Sequence, residues 1–306
     1  VRLKSGLDPR LVEEIVVGNV LHKDSTFMAR ASGIAAGFPA TTATSTVSRW
    51  CSSGLLAVQS VANQIVAGCI DIGIAVGAES MSTNPDNGAP AFPSEMMSNP
   101  IVKDITEPMP WTSENVARNF GVTRDVQDGF AAASFQKAEA SQKAGWSMDE
   151  IYPITTQWKD PKTGEKKTVK VERDDGVRYG TTQESLSKIR SAFPQWSPAT
   201  TTGGNASQIT DGAAALLLMR RNVAEKLGQP ILARFVASTV VGLEPRIMGI
   251  GPTLAIPKLL QKVGLEKEDI DIFEINEAFA SMVSAISLLR ESRNRHADAS
   301  TARLLC

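Results

Sequence analysis

Apolar positions along the chain switch between short continuous runs and a spacing of three to four residues. Ile15-Val16-Val17-Gly18-Asn19-Val20 and Ile70–Ala78 are brief apolar runs, the pattern of strands covered on both faces. Ala43–Val47 predicts a further strand. Residues 26–37 carry a helical period that stops at Gly37 and Pro39, and Asp8 ahead of Pro9 caps a short helical start. After Cys51, the residues Leu55, Ala57, Val58, Val61, Ala62, Ile65 and Val66 fall on nearly every side of a 3.6-residue period. A helix apolar all round is predicted to be buried all round. Apolar strands alternating with helices define the α/β class.

The middle of the chain changes character. Asn84–Pro110 is rich in proline and methionine and lacks any period, as expected of a functional loop or lid. Thr112-Ser113-Glu114-Asn115 opens a predicted amphipathic helix, and Thr123–Gly145 carries a second helical period. Residues 158–175 predict an exposed hairpin whose lysines form a solvated face. Farther on, Ala213–Met219, Ile231–Val241 and Ile270–Ile275 are apolar runs predicted as strands, and Leu254–Val263 is predicted as a helix. Its Gly249-Ile250-Gly251 entry lacks the third glycine and the acidic partner of a dinucleotide site. The runs Ile15–Asn19 and Ile270–Asn276 both end on asparagine, a hint of a duplicated half.

Composition narrows the function. The 306 residues include 32 basic and 33 acidic side chains, a formal net charge of −1. That balance argues against a nucleic-acid partner or a polybasic membrane surface. No apolar run is long enough to predict a membrane span. Cys51, Cys69 and Cys306 form no CxxC pair and suit a reducing compartment. His22 and His296 are too few for a metal site, and both are expected on the surface. Val1 reads as mid-loop, with no targeting pattern, so the expectation is a chain trimmed at its front.

The chemistry gathers at Ser48-Arg49-Trp50-Cys51-Ser52-Ser53-Gly54. Small residues suit the first turn of a helix, where unpaired N–H groups need oxygen partners and another group can come close. Cys51 just before that turn lies where the helix's partial positive charge favours an anion, which fits a nucleophile. A buried cysteine acting as a small hydrophobe fits the same residues. Thr202-Gly203-Gly204-Asn205-Ala206-Ser207 reads either as a place where a ligand approaches the backbone or as a tight turn.

Taken together, these stretches resemble the thiolase family, in particular the peroxisome-type 3-ketoacyl-CoA thiolases, over about residues 11–283. Besides the Cys51 segment, the resemblance is carried by Gly77-Ala78-Glu79-Ser80-Met81-Ser82, Thr112–Ala117, Asp174–Arg178, Thr181–Leu186, Gly204–Ser207, Asp211–Ala215 and Asn276-Glu277-Ala278-Phe279-Ala280. It implies a layered αβαβα fold of two similar halves with an inserted loop domain. Residues 1–82 with 204–228 would form the first half, 83–203 the insert, and 229–306 an incomplete second half. It further implies that Cys51 takes the acyl group of a 3-oxoacyl-CoA and passes it to a second CoA. Asn276 would hold a water that steadies the developing negative charge, and Met109 and Ser207 would line the pantetheine and acyl channel. CoA enters as substrate, so no cofactor and no metal are implied. A homodimer and a peroxisomal location follow from the same resemblance.

The resemblance has two departures. Pro110 follows Met109 where the family usually has glycine, which alters the expected backbone of the acyl pocket. After about Val283 the family's Gly-His-Pro segment, with its base histidine, and its Cys-x-Gly acid/base cysteine do not occur. Residues from about 288 read as an unrelated polar tail, and neither His296 nor Cys306 sits in a matching motif. The expectation is a truncated or frame-shifted member with poor thiolytic turnover. The alternative is a non-catalytic protein of the same fold that binds acyl-CoA or pairs with an intact subunit.

Overall fold

The computed structural model describes residues 5–160 and 162–294. In chain order its regular elements are β1 (Glu14–Gly18), α1 (Ser25–Ala35), β2 (Ala43–Val47), α2 (Ser53–Ala67), β3 (Ile72–Ser80), α3 (Ser94–Met97), α4 (Pro100–Thr106) and α5 (Met109–Asn119). There follow α6 (Arg124–Ala144), β4 (Ile154–Lys159), β5 (Lys166–Val171), α7 (Gln183–Ser187), β6 (Asp211–Met219), α8 (Arg221–Lys226), α9 (Pro252–Val263) and α10 (Ala280–Asn294). The described residues fall into two compact units. One lies within Val1–Asn87 and Ile209–Ser238, the other within Gly88–Gln208 and Thr239–Cys306. The family division at 82, 204 and 228 stays a proposal beside these units.

The first unit is built on a four-stranded sheet of order β2-β1-β3-β6. β1 runs parallel to both β2 and β3, and β6 pairs antiparallel with β3. Parallel neighbours cannot be joined by a tight turn, so α1 and α2 serve as the crossovers. Side chains alternate across the sheet. Ile15, Ile72 and Ile74 pack with Leu7 and Val12 on one face, and Val16 and Ala75 pack with Ala57 and Val61 of α2 on the other. Its composition predicted that α2 is buried all round, and it is not. It buries Ser53, Ala57, Val61 and Ala62, while Leu55 and Val66 are 64% and 82% exposed. A single sheet face covers only one side of a helix.

At the far end of β3, Asp211 at the start of β6 accepts hydrogen bonds from the amide and hydroxyl of Ser82. The Ser82 hydroxyl foremost, then its amide, holds the Asp211 carboxyl below the usual range. A depressed carboxylate contributes its stability above the ordinary pKa of about 4 and loses it as pH falls through the lowered value. Asp211→Asn should therefore lower the urea midpoint at neutral pH, and the gap to wild type should narrow as pH falls below the ordinary carboxylate range. A gap that stays constant with pH would contradict this tie.

The second unit is helical. α5, α6 and α10 pack together, with Val116, Ala117, Val122, Ile250 and Ala285 in one cluster and Ala131, Ala132, Leu186 and Ala280 in another. β4 and β5 form the exposed hairpin expected from the charged stretch, with the first strand starting at Ile154.

The Asn84–Pro110 segment is not a structureless loop. α3 follows Pro93, and α4 starts on Pro100 with the Asn99 side chain capping the amide of Ile101. Proline disrupts helical periodicity in sequence yet suits a first turn, where its missing N–H has no partner to lose. Thr112–Ala117 are six consecutive buried residues, so α5 is enclosed there rather than amphipathic. Ile231–Val241 and Ile270–Ile275 carry no regular structure. An apolar run becomes a strand only where another backbone pairs with it, and no ladder involves these residues among those described. The backbone stays helical through Asn294, past the expected break near 288, in keeping with the helix-forming leucine, arginine and glutamate there. His296 and Cys306 lie outside the described residues.

Candidate active site

Cys51 sits on a tight turn between β2 and α2, beyond the C-terminal ends of the parallel strands. Trp50 has φ +45°, alone among the described non-glycine residues in the left-handed region. Such a conformation persists only where neighbouring bonds over-determine it. Here Ser53 does so: its hydroxyl accepts from the Arg49 amide at 2.8 Å and donates to the Trp50 carbonyl at 2.6 Å. The Ser52 hydroxyl donates to the Arg49 carbonyl at 2.9 Å, and the Ser53 amide donates to the Trp50 carbonyl at 3.0 Å. Cys51 is exposed and free, which removes the reading of a buried hydrophobe. Cys69, also free and exposed, lies just past the other end of α2.

Two strand glycines let α2 begin directly on the sheet. Gly18 and Gly77 are paired in register, and each faces the helix's first turn. A Cβ on Gly18 would lie 2.3 Å from the Ser53 carbonyl carbon and oxygen, and one on Gly77 would lie 3.2 Å from Gly54 Cα. Glycine inside a strand marks close backbone approach, so this feature was open to sequence reading and was missed. Beside it, the Asn19 side chain donates to the Ala78 carbonyl at 2.7 Å and to Glu79 at 3.1 Å, and Glu79 accepts the Val20 amide at 2.9 Å. His22 is half-buried rather than surface-facing. Its Nδ1 accepts the Asp24 amide at 3.0 Å, and its own amide is held by Asn19.

Met109, Ser207 and Asn276 belong to the second unit. Met109 is half-buried at the first position of α5, and Pro110 takes the second, where proline costs the helix nothing. Ser207 and Asn276 are exposed on two segments joined by backbone pairing. Ala206 bridges Phe279, the Ser207 amide donates to the Ala278 carbonyl at 2.9 Å, and the Ala280 amide donates to the Asn205 carbonyl at 2.9 Å. No group of three metal-ligating side chains occurs among the described residues. Nor does any described helix have the length and apolarity to cross a membrane.

Residues 3–222 match the family described as Thiolase, N-terminal domain, and residues 229–294 match Thiolase, C-terminal domain. The chain is 50% identical over 280 residues to the peroxisomal 3-ketoacyl-CoA thiolase of Yarrowia lipolytica, covering 91% of this chain and 67% of that one. It is 49% identical over 280 residues to the human peroxisomal 3-ketoacyl-CoA thiolase, covering 91% and 65%. Relatives of this kind are thus spanned over about two thirds of their length or less. Among solved structures, the dimeric peroxisomal thiolase of Saccharomyces cerevisiae superposes with a TM-score of 0.84 at 45% identity, covering 92% of this chain and 70% of that one. Human mitochondrial 3-ketoacyl-CoA thiolase superposes with a TM-score of 0.81 at 30% identity, covering 99% and 76%.

Proposed function

The chain belongs to the thiolase family and has its mixed α/β fold, and from that premise we propose that it is an acyltransferase acting on 3-oxoacyl-CoA. The observation that supports this reading most is the exposed Cys51 on a strained turn at the start of α2. Cys51 Sγ attacks the 3-oxo carbon, and the bond between C2 and C3 breaks. C2 takes a proton and leaves as acetyl-CoA, while the remaining acyl group stays on Cys51 as a thioester. The thiol of a second CoA then attacks that carbonyl and frees Cys51. Asn276 steadies the oxygen or enolate on which charge develops, and Met109 and Ser207 contact the acyl-pantetheine chain. Following the relatives named peroxisomal and dimeric, we place the protein in the peroxisome as a homodimer that supplies fatty-acid β-oxidation.

The sequence holds two histidines, and neither lies in the family's Gly-His-Pro segment. A positioned general acid or base contributes about 10²–10⁴-fold each. The purified 306-residue chain is therefore expected to form the acyl-cysteine and turn over slowly. The test is intact mass spectrometry after mixing with a short and a medium 3-oxoacyl-CoA, with acetyl-CoA release followed in parallel. The expected result is one acyl adduct per chain, mapped to Cys51, with an equivalent of acetyl-CoA. The second reading is an acyl-CoA-binding partner subunit without chemistry. CoA binding without any adduct would establish that reading instead.

A further inference from the structure

α5 buries a carboxylate whose partners lie far along the chain. Glu114 is 3% exposed, and a charge so placed is costly unless its lone pairs are filled. Every hydrogen bond described for it comes from one turn. The Thr200 amide reaches both oxygens at 3.0 Å, the Thr201 amide reaches Oε1 at 2.7 Å, and the Thr200 hydroxyl reaches Oε2 at 3.2 Å.

That turn is closed on itself and tied to α6. Thr202 Oγ1 accepts the amides of Gly204 and Asn205, and Asn205 Oδ1 accepts the Thr202 amide at 2.8 Å. Asn205 Nδ2 donates to buried Asp128 at 2.9 Å and to the Thr200 carbonyl at 3.1 Å. Arg124 Nε donates to the other oxygen of Asp128 at 2.6 Å. Beneath the turn, a Cβ on Gly204 would meet the side-chain methyls of Leu186 and Ile189 at 2.7 Å.

The turn hands its position onward through the backbone. The Asn205 carbonyl takes the Ala280 amide, Ala206 bridges Phe279, and the Ser207 amide takes the Ala278 carbonyl. Ser207 and the segment that follows Asn276 are thereby held in one register. We infer that Glu114 is a positioning residue: its carboxylate fixes the Thr200–Asn205 turn, and through it the register that presents Ser207 together with Asn276 to an acyl-CoA. This deepens the proposed function and rests on its reading of Ser207 and Asn276 as substrate contacts. Asp128 backs the turn from behind but shares its charge with Arg124. Glu114 serves the turn alone.

The test compares the full chain with Glu114→Gln and Val116→Ala. Val116 is fully buried on the same helix and contacts the Ile250 cluster, so its truncation loosens α5 without touching the turn. Residue-resolved amide hydrogen exchange is the first readout, and CoA affinity by titration is the second. Losing hydrogen bonds to a charged acceptor predicts exchange about 10-fold faster at the Thr201, Ser207 and Ala280 amides in Glu114→Gln. CoA binding should weaken by about 10-fold in the same variant, while Val116→Ala leaves both near wild type. If Glu114→Gln fails to fold, Thr200→Ala removes one donor to Glu114 together with the Gln127 side-chain bond to the same hydroxyl, keeps the charge and should speed the same three amides about threefold. Equal exchange at Ser207 and Ala280 in Glu114→Gln and Val116→Ala would overturn the inference. A wild-type chain that does not bind CoA would instead remove the functional reading, and the exchange data would still decide what Glu114 does.

Discussion

Cys51→Ser forms acyl adduct at a rate at least about 10³-fold below wild type, while its thermal midpoint stays within about 1 °C. The two halves of this expectation have separate causes. Serine presents a neutral hydroxyl, a poor nucleophile unless a base removes its proton, whereas sulfur is intrinsically more nucleophilic. Stability is spared because Cys51 is exposed and the turn is held by Ser52, Ser53 and backbone bonds rather than by the thiol. Cys69→Ser is the companion measurement: it replaces the other exposed cysteine among the described residues, past the far end of α2, and should leave the adduct yield unchanged. Adduct persisting in Cys51→Ser and disappearing in Cys69→Ser would move the chemistry to the wrong end of the helix and defeat the assignment.

Gly18→Ala is expected to damage both fold and chemistry. Its new methyl group would lie 2.3 Å from the Ser53 carbonyl and 2.6 Å from the Gly54 nitrogen. These are backbone atoms of the first turn of α2, so no side chain can swing aside. Overpacking of this kind costs about 1–3 kcal/mol, which at this chain length lowers the melting midpoint by several degrees, roughly 3–10 °C. The strain is relieved by lifting the start of α2 off the sheet, and Cys51 moves with it. A displacement of about 1 Å at a reacting group can cost about 10²-fold, so acylation should fall by that order even in the folded fraction. Gly77→Ala, with its nearest contact at 3.2 Å, should show a smaller effect, and Gly212→Ala, with nothing within 4 Å, none. The ranking Gly18, Gly77, Gly212 is the signature to look for in melting curves and adduct rates. A Gly18→Ala protein that acylates at the wild-type rate would show that α2 does not rest on these glycines.

Much of the first unit was legible in the sequence. The apolar runs of β1, β2 and β3, the helices between them and the Gly37 stop report local chemistry, because period and caps act over a few residues. The Cys51 turn was visible for the same reason: small residues before an apolar helical run belong at a helix start. The strain at Trp50 was not visible, since it exists only once Ser53 closes the turn from both sides. In the second unit more was decided in three dimensions. Ile231–Val241 and Ile270–Ile275 have the residues of strands, but a strand is completed by its neighbour. The helices within Asn84–Pro110 were masked by prolines that in fact sit at their starts. Glu114, in the stretch that opens a predicted amphipathic helix, is buried, and it meets amides 86 and 87 residues away that no local pattern connects to it. Sequence determined the elements of the first unit and the family, and it marked Cys51 as the candidate nucleophile, all of which are carried by short-range pattern and motif. Tertiary structure decided which apolar runs find partners and which charges are enclosed, because both depend on what the chain brings alongside from far away.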